Sequence, residues 1–200
     1  MALLSLFFSR LACTAAMRRS GFWLATLTMS SLLVPKSWGE TELKEYQLKA
    51  VFLFNFAQFV EWPESAFADE KSPLTIGIIG EDPFDGVLDE LVRGEHSGKR
   101  EIIVRRMRKI EEMDGCQIFF ISKSESTRLE SILAALGNRP VLTVSDAERA
   151  ARRGTMIRFF VEKKKIRLRI NLEATKIAGL VVSSKLLRAA EIVTTSKELP

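Results

Sequence analysis

The chain has 200 residues and carries 30 basic and 25 acidic side chains, which gives a formal net charge of +5. Four of the basic residues and none of the acidic ones precede Glu40, so the rest of the chain has 26 basic and 25 acidic side chains and is close to neutral. This balance excludes a general attraction of the whole protein to nucleic acid or to anionic lipid. One histidine and two cysteines are too few for a usual zinc site.

The first predicted element is a secretory signal peptide over residues 1–39. A pair of arginines precedes an uncharged apolar run, 22–34, and the small residues Ser37 and Gly39 frame a cleavage site. A helix that crosses a bilayer needs about 20 apolar residues, so an uncleaved membrane anchor is the less favoured alternative. The apolar block before Met17 adds nothing to such a signal, and we expect translation to start at Met17.

A long apolar helix is predicted next, over residues 42–60, and Pro63 prevents its continuation. Its polar residues form one narrow stripe at helical spacing, so the helix must be largely covered. Either the core of its own domain or a partner protein provides this cover. We expect partner contacts from whichever of its phenylalanines the core does not need: Phe52, Phe56 and Phe59.

Strands and helices then alternate, which is typical of an α/β domain. Strands are expected over 74–79, 101–105, 117–121 and 141–144, and helices over 83–92, 109–113 and 125–136. Asp146 is expected to cap a further helix that continues through Ala151.

The C-terminal part departs from this alternation. Two consecutive strands, 156–161 and 165–171, are joined by a tight turn, and a last helix is expected over 183–193. The predicted fold class is α/β. It is a single three-layer domain, residues 40–200, with a mostly parallel central sheet and an antiparallel C-terminal edge hairpin.

Residues suited to catalysis are few, so we expect a protein that is not an enzyme and that holds no metal or cofactor. His96 lies in a turn-rich stretch, where a solvated loop histidine is the favoured interpretation. Cys116 is the only cysteine after the signal and is expected to be an unpaired buried residue, with an intermolecular or redox role as the alternative. The dipole of the following helix explains a group of four acidic residues: Glu81, Asp82, Asp85 and Asp89.

The carboxyl ends of three predicted strands are a candidate small-molecule site. Ligands of open parallel sheets bind beyond these ends, where small and polar residues occur in this chain: Gly80, Asp82, Ser122 and Ser145. The favoured alternative is that these residues cap helices. Three basic clusters, 105–109, 149–153 and 163–165, lack interleaved aromatic residues and are expected to be solvated; the last lies on the hairpin tip, where charge discourages edge aggregation.

Motifs spread in order over residues 43–193 resemble the YfiR-like periplasmic family. They are EYQLKA at 45–50, FNFAQFVEWP at 54–63, IGEDPF at 79–84, GCQIFFIS at 115–122, and NL, GL and SSKLL within 171–187. The resemblance implies a compact α/β domain that pairs as a homodimer and acts as a non-enzymatic periplasmic regulator. Family members repress an inner-membrane diguanylate cyclase by binding its periplasmic sensor region, which lowers cyclic di-GMP and disfavours biofilm.

One position departs from the family pattern. Some members have a cysteine at the position of Gly77 and can bridge it to the one that matches Cys116, whereas this chain cannot form that bridge. Redox control through an internal disulfide is therefore not expected. The expected function is repression of a cyclase through protein contact. The alternative is a small-ligand-binding domain that resembles one lobe of a periplasmic substrate-binding protein.

Overall fold

The computed structural model describes residues 37–194, with side chains from Glu42 onwards. All but the last three residues of the predicted signal peptide lie outside the described residues, so its cleavage stays a prediction. The first helix, α1 (Ser37–Phe59), begins five residues earlier than the sequence pattern predicts. It is followed at once by the short strand β1 (Val60–Glu61), since the residue before a proline is disfavoured in a helix.

An eight-stranded sheet forms the centre of the domain. Its strands, in spatial order, are β10 (Ala190–Val193), β8 (Lys165–Asn171), β7 (Ile157–Glu162), β6 (Leu142–Ser145), β5 (Ile118–Ile121), β2 (Leu74–Ile79), β4 (Arg100–Met107) and β3 (His96–Ser97). The pairs β7–β8 and β3–β4 are antiparallel, and the remaining pairs are parallel. A separate two-stranded ribbon joins β1 to β9 (Val181–Val182). The predicted α/β class with a mostly parallel sheet is confirmed.

Two hydrophobic cores lie on opposite faces of this sheet, because successive residues of a strand point to opposite sides. In β5, Ile118 and Phe120 belong to one core, whereas Phe119 and Ile121 belong to the other. Three helices cover the first face: α1, α2 (Val87–Val92) and α5 (Ser184–Arg188). The second face is covered by α3 (Leu129–Leu136) and by a 3-10 turn (Ile110–Met113). Helix α4 (Leu172–Ile177) directly follows β8.

The C-terminal segment differs from the prediction. The helix expected over 183–193 is a short helix, α5, followed by the strand β10. Strand β10 pairs with β8 in parallel, so the predicted antiparallel hairpin β7–β8 is present but lies one strand inside the edge of the sheet. The four residues of β10 follow α5 after one residue, and no turn signal in the sequence marks the change.

Three other predicted helices are shorter or wound differently. The helix predicted over 109–113 is the 3-10 turn Ile110–Met113, and the first part of 125–136 belongs to a 3-10 helix (Lys123–Arg128). Helix α2 starts only at Val87, after two residues with positive φ, Asp85 and Gly86.

The expectation that Asp146 caps a helix is wrong. Residues 147–154 form successive turns and no regular helix. The Asp146 carboxylate has other partners, which lie on α1 and on the loop after β5. A side chain committed to distant partners is no longer available to the backbone N–H groups of its own loop.

Gly77 lies where β2 meets the second core. A Cβ at this position would lie 2.8 Å from Met107 Cε and 3.0 Å from both Cys116 Sγ and Phe119 Cδ2. Close packing therefore explains this glycine. Cys116 is buried and free, and burial raises the pKa of its thiol to about 11, so the thiol stays protonated at neutral pH.

Candidate functional site

The predicted ligand residues meet at the carboxyl edge of the sheet. Ser145 ends β6, Ser122 directly follows β5, and Gly80 directly follows the neighbouring strand β2. Gly80 has a φ of +89°, and a Cβ added to it would lie only 2.5 Å from Ser124 Oγ. Only glycine therefore fits where the loops after β2 and β5 touch. The structure brings these predicted residues together in space.

The serine hydroxyls at this edge already have partners within the protein. Ser145 Oγ donates to the carbonyl of Ile121 at 2.6 Å and accepts from the N–H of Ala147 at 3.1 Å. Ser122 Oγ accepts from the N–H of Ser124 at 3.4 Å, and both serines are buried. These contacts hold the loops in place, which is the role of a cap rather than of a ligand-binding group.

The acidic residues after β2 form a surface network with Arg106 of β4. Asp82 accepts from the N–H of Phe84 at 2.8 Å and from Arg106 Nε at 2.7 Å. The other end of the guanidinium binds both carboxylate oxygens of Asp89 on α2, and these hydrogen bonds hold the pKa of Asp89 below its usual value. Arg106 therefore ties the loop after β2 to the start of α2 and leaves neither carboxylate as an unpaired acid.

Asp146 is the centre of a buried polar cluster that the sequence pattern did not identify. Its carboxylate accepts from Tyr46 Oη at 2.8 Å, from Lys49 Nζ at 2.9 Å and from the N–H of Lys123 at 3.0 Å. The side chains of Lys49 and Asp146 are each only 4% exposed. Lys49 also pairs with Glu45 at 2.7 Å, and its ammonium lies 4.0 Å from the centroid of the Tyr46 ring.

This cluster, composed of Glu45, Tyr46, Lys49 and Asp146, ties α1 to the carboxyl edge of the sheet. Burial raises the pKa of Tyr46, and the negative charge of Asp146 raises it further. Breaking a buried ion pair by removing one partner costs about 3–5 kcal/mol, because the other charge stays buried without compensation. The spacing of Tyr46 and Lys49 on one face of a helix was a usable signal, but nothing in the sequence joined them to Asp146.

The three phenylalanines predicted for partner contact have different positions. Phe56 is fully buried and stacks on Phe159 of β7, with ring centroids 5.9 Å apart, so it serves the core. Phe52 is half-buried and packs against both of these rings. Phe59 is half-buried, and the ammonium of Lys185 lies 5.0 Å from its ring centroid. Of the three predicted phenylalanines, only Phe52 and Phe59 are therefore partly exposed on the surface of α1.

The outer face of α1 also includes exposed apolar side chains that the sequence analysis did not single out. Leu48 is 45% exposed and Val51 is 39% exposed. They lie among the predicted polar stripe of the helix, which is exposed or half-buried and consists of Lys44, Gln47, Asn55 and Gln58. We call Leu48, Val51, Phe52 and Phe59 the α1 outer face.

A groove of about 420 Å³ lies away from the carboxyl edge, where the chain enters β5 and β6. Residues 65–68, 113–116 and 139–141 line it. Its charged rim is an exposed ion pair between Arg139 and Asp114 at 2.7 Å. The rim is therefore neutral, and the groove offers a ligand little besides its apolar wall.

A comparison with known protein families shows to which family this chain belongs. The profile of the YfiR/HmsC-like family matches residues 46–191. The chain belongs to the YfiR/HmsC-like family. The resemblance found in the sequence motifs is thereby confirmed. The YfiR/HmsC-like family is periplasmic and regulates diguanylate cyclase signalling, and it is a regulatory rather than a catalytic family.

Two solved structures are similar to this YfiR/HmsC-like protein at low identity. One is a conserved domain protein from Vibrio cholerae, with 10% identity, a TM-score of 0.46, and coverage of 74% of this chain and 59% of the other. The second is a 3-hydroxyacyl-CoA dehydrogenase from Archaeoglobus fulgidus, with 11% identity, a TM-score of 0.30, and coverage of 63% and 58%. The chain thus spans less than two thirds of either structure. No curated protein matches the chain.

Among residues 37–194, no helix has the length and apolar character needed to cross a bilayer. The same residues contain no group of three or more histidine, cysteine, aspartate or glutamate side chains placed to hold a metal ion.

Proposed function

We propose that this YfiR/HmsC-like protein binds the periplasmic sensor region of an inner-membrane diguanylate cyclase and thereby lowers cellular cyclic di-GMP. The proposal rests on family membership together with the chemistry of the carboxyl edge. There the polar groups that we considered for ligand binding already hydrogen bond within the protein. A regulator of this kind can act through contact with another protein alone, so it needs no catalytic group.

The observation that supports a particular contact surface is the exposure of apolar side chains on the α1 outer face. Leu48 and Val51 expose apolar area to water, and the half-buried rings of Phe52 and Phe59 flank them. The centre of a protein interface is more apolar than its rim and is enriched in aromatic side chains, and a few well-packed residues there contribute most of the binding free energy. Tyr46 and Lys49, on the opposite side of the same helix, anchor it to the sheet and hold this face in position.

Ligand binding at Gly80, Asp82, Ser122 and Ser145 has less support, because internal hydrogen bonds occupy the two serine hydroxyls and the aspartate. It stays a secondary hypothesis. A panel of periplasmic metabolites in a thermal-shift assay tests it. A ligand at a hundredfold excess over its dissociation constant adds about 2.7 kcal/mol to the free energy of unfolding.

The test of repression uses a deletion strain and plasmid-borne variants. We expect the deletion to raise cyclic di-GMP and the exported wild-type protein to restore the low level. The double variant Leu48→Gln/Val51→Gln should leave cyclic di-GMP high while its urea denaturation curve stays close to that of the wild type. Exposed substitutions of this kind change the free energy of unfolding by about 0.5 kcal/mol or less.

A control variant removes two apolar side chains that are even more exposed, on other elements. Ile177 on α4 and Val181 on β9 are both 59% exposed and do not belong to α1. Ile177→Gln/Val181→Gln should therefore repress as well as the wild type. Equal repression by the two double variants would show that the α1 outer face is not the contact. An unchanged cyclic di-GMP level in the deletion strain would remove the repressor function itself.

A further inference from the structure

The β7–β8 hairpin concentrates positive charge, whereas the rest of the chain after Gly39 is slightly acidic. Six basic residues and one acidic residue lie between Ile157 and Arg169. The rest of the chain after Gly39 therefore has 20 basic against 24 acidic side chains. The near-neutral total therefore conceals an excess of positive charge on this hairpin and a net negative charge on the rest of the chain after Gly39. We call the six residues the basic hairpin: Arg158, Lys163, Lys164, Lys165, Arg167 and Arg169.

Within the part of the chain that the structure describes, most of these cations have no carboxylate partner. Arg169 pairs with Glu191 at 2.8 Å, and its guanidinium lies 4.0 Å from the centroid of the Phe160 ring. The lysines at 163–165 and Arg167 are exposed, and within residues 37–194 no ion pair joins them to an acidic side chain. Their charge is therefore directed to the solvent and is available to an anionic surface.

The turn of this hairpin consists of two lysines in a backbone conformation that is unfavourable for lysine. Lys163 has a φ of 49° and Lys164 a φ of 61°, and both therefore adopt the left-handed conformation. Two-residue hairpin turns of this kind favour Asn-Gly, because glycine has no Cβ and the short polar side chain of asparagine tolerates the left-handed conformation, whereas most other side chains are strained there. Turn geometry does not explain two lysines at these positions. An explanation must come from their charge.

An exposed apolar side chain lies beside the lysines. Val161 of β7 is 52% exposed and pairs across the hairpin with the half-buried Ile166. The tip therefore combines a narrow apolar spot with flexible ammonium groups. Residues with this combination favour the headgroup region of a bilayer, where the charge meets phosphate and the apolar group meets the acyl boundary.

We propose that the tip of the basic hairpin contacts an anionic phospholipid membrane surface. A fluid layer of headgroups needs no fixed acceptor geometry, which suits three consecutive lysines on flexible stems. Defined carboxylates on a protein partner are more often met by arginine, whose planar group binds two oxygens at once. The negative remainder of the chain is repelled by the same surface, so the molecule would approach with the hairpin first. This contact does not depend on the cyclase.

The test measures binding of the protein recovered from the periplasm to vesicles of phosphatidylcholine that contain about one third phosphatidylglycerol. We expect co-sedimentation with these vesicles at low salt, loss of binding at high salt, and no binding to pure phosphatidylcholine. The variant Lys163→Asn/Lys164→Gly replaces both strained lysines with the residues that the turn prefers. Its partition into the anionic vesicles should fall about thirtyfold, since two surface charges are lost.

The same variant separates binding from folding. Because Asn-Gly suits the turn, the variant should unfold at a higher urea concentration than the wild type, so a loss of vesicle binding cannot reflect a damaged fold. The matched control is Lys71→Gln/Lys99→Gln, which removes two exposed lysines near the β3–β4 hairpin at the opposite edge of the sheet. This control should bind vesicles like the wild type.

Two kinds of outcome would overturn the proposal. The first is equal binding to anionic and neutral vesicles, or equal loss of binding in the two lysine variants. The second is no vesicle binding by the wild type together with loss of repression in Lys163→Asn/Lys164→Gly, which would assign the hairpin to an acidic protein surface instead. Neither outcome affects the test of the α1 outer face, because that test uses residues on another element.

Discussion

Lysine has opposite roles in two regions of the molecule, the carboxyl edge of the sheet beneath α1 and the basic hairpin. Lys49 is almost completely buried, and its ammonium binds two carboxylates and lies over an aromatic ring. Lys163 is exposed, and within the described residues no ion pair joins it to an acid. A lysine that has its partners within the fold maintains the structure, whereas one without them is free to contact another surface. Burial and partners, rather than residue type, distinguish the two roles.

The largest expected effect is a loss of stability, and it concerns the buried pair of Lys49 and Asp146. Asp146→Ala should lower the free energy of unfolding by about 3–5 kcal/mol, because Lys49 and Tyr46 lose a buried acceptor. Urea denaturation measures this loss. The control is Glu191→Ala, which breaks the partly exposed pair with Arg169 and should cost about 1 kcal/mol or less. If the two variants lose equal stability, the Asp146 cluster does not anchor α1.

The second prediction compares a buried and a half-buried phenylalanine of α1. Phe56→Ala should cost about 3–5 kcal/mol, because it empties a fully packed position of the core. Phe59→Ala should cost less, since half-buried rings lose less surface on truncation, and it should impair repression while the protein stays folded. Urea denaturation and cellular cyclic di-GMP are measured on both variants. A Phe59 variant that is as unstable as the Phe56 variant would place both rings in the core.

The third prediction concerns alkaline pH. Burial and the Asp146 charge raise the pKa of Tyr46, so the folded state keeps the phenol proton that the unfolded state loses above pH about 10. The tyrosine therefore contributes stability that is fully present below that pH and is lost as the pH rises. Tyr46 is the only tyrosine in the chain, so tyrosinate absorbance in the near ultraviolet reports this residue alone.

We expect the tyrosinate signal to appear only together with unfolding, as followed by circular dichroism. The control is Tyr46→Phe, in which the alkaline decrease in stability should be shallower because this proton is absent. A native protein that shows a full tyrosinate signal near pH 10 would contradict the buried hydrogen bond to Asp146.

Local patterns in the sequence predicted much of the fold. The continuous apolar run of β5 indicated a strand covered on both faces, and its residues 118–121 are all fully buried. The alternation of apolar and basic residues in β8 indicated one buried and one exposed face, and the structure has Leu168 buried and Arg167 exposed. Such patterns are readable because the burial of a side chain within one element repeats at short, fixed intervals.

The candidate sites were less predictable. Ser122 and Ser145 were correctly placed at one edge of the sheet, because the ends of parallel strands meet there, but their hydroxyls proved to be engaged within the protein. The four residues of β10 were assigned to a helix, because a strand this short carries no periodic signal of its own. Its pairing with β8 supplies the stabilisation that the local sequence lacks.

The sequence by itself determined the α/β class, the apolar first helix and the family, since each depends on neighbouring residues and on motifs in order. Only the tertiary structure decided which charged groups are structural and which face outward. Tyr46 and Asp146 are 100 residues apart in the chain, and their hydrogen bond exists only because α1 packs across the ends of the strands. The charge of the hairpin lysines was visible in the sequence, but their strained turn, and the absence of an ion pair to them within residues 37–194, appear only once the chain is folded. Contacts between distant residues depend on how the whole chain packs, and no local pattern records them.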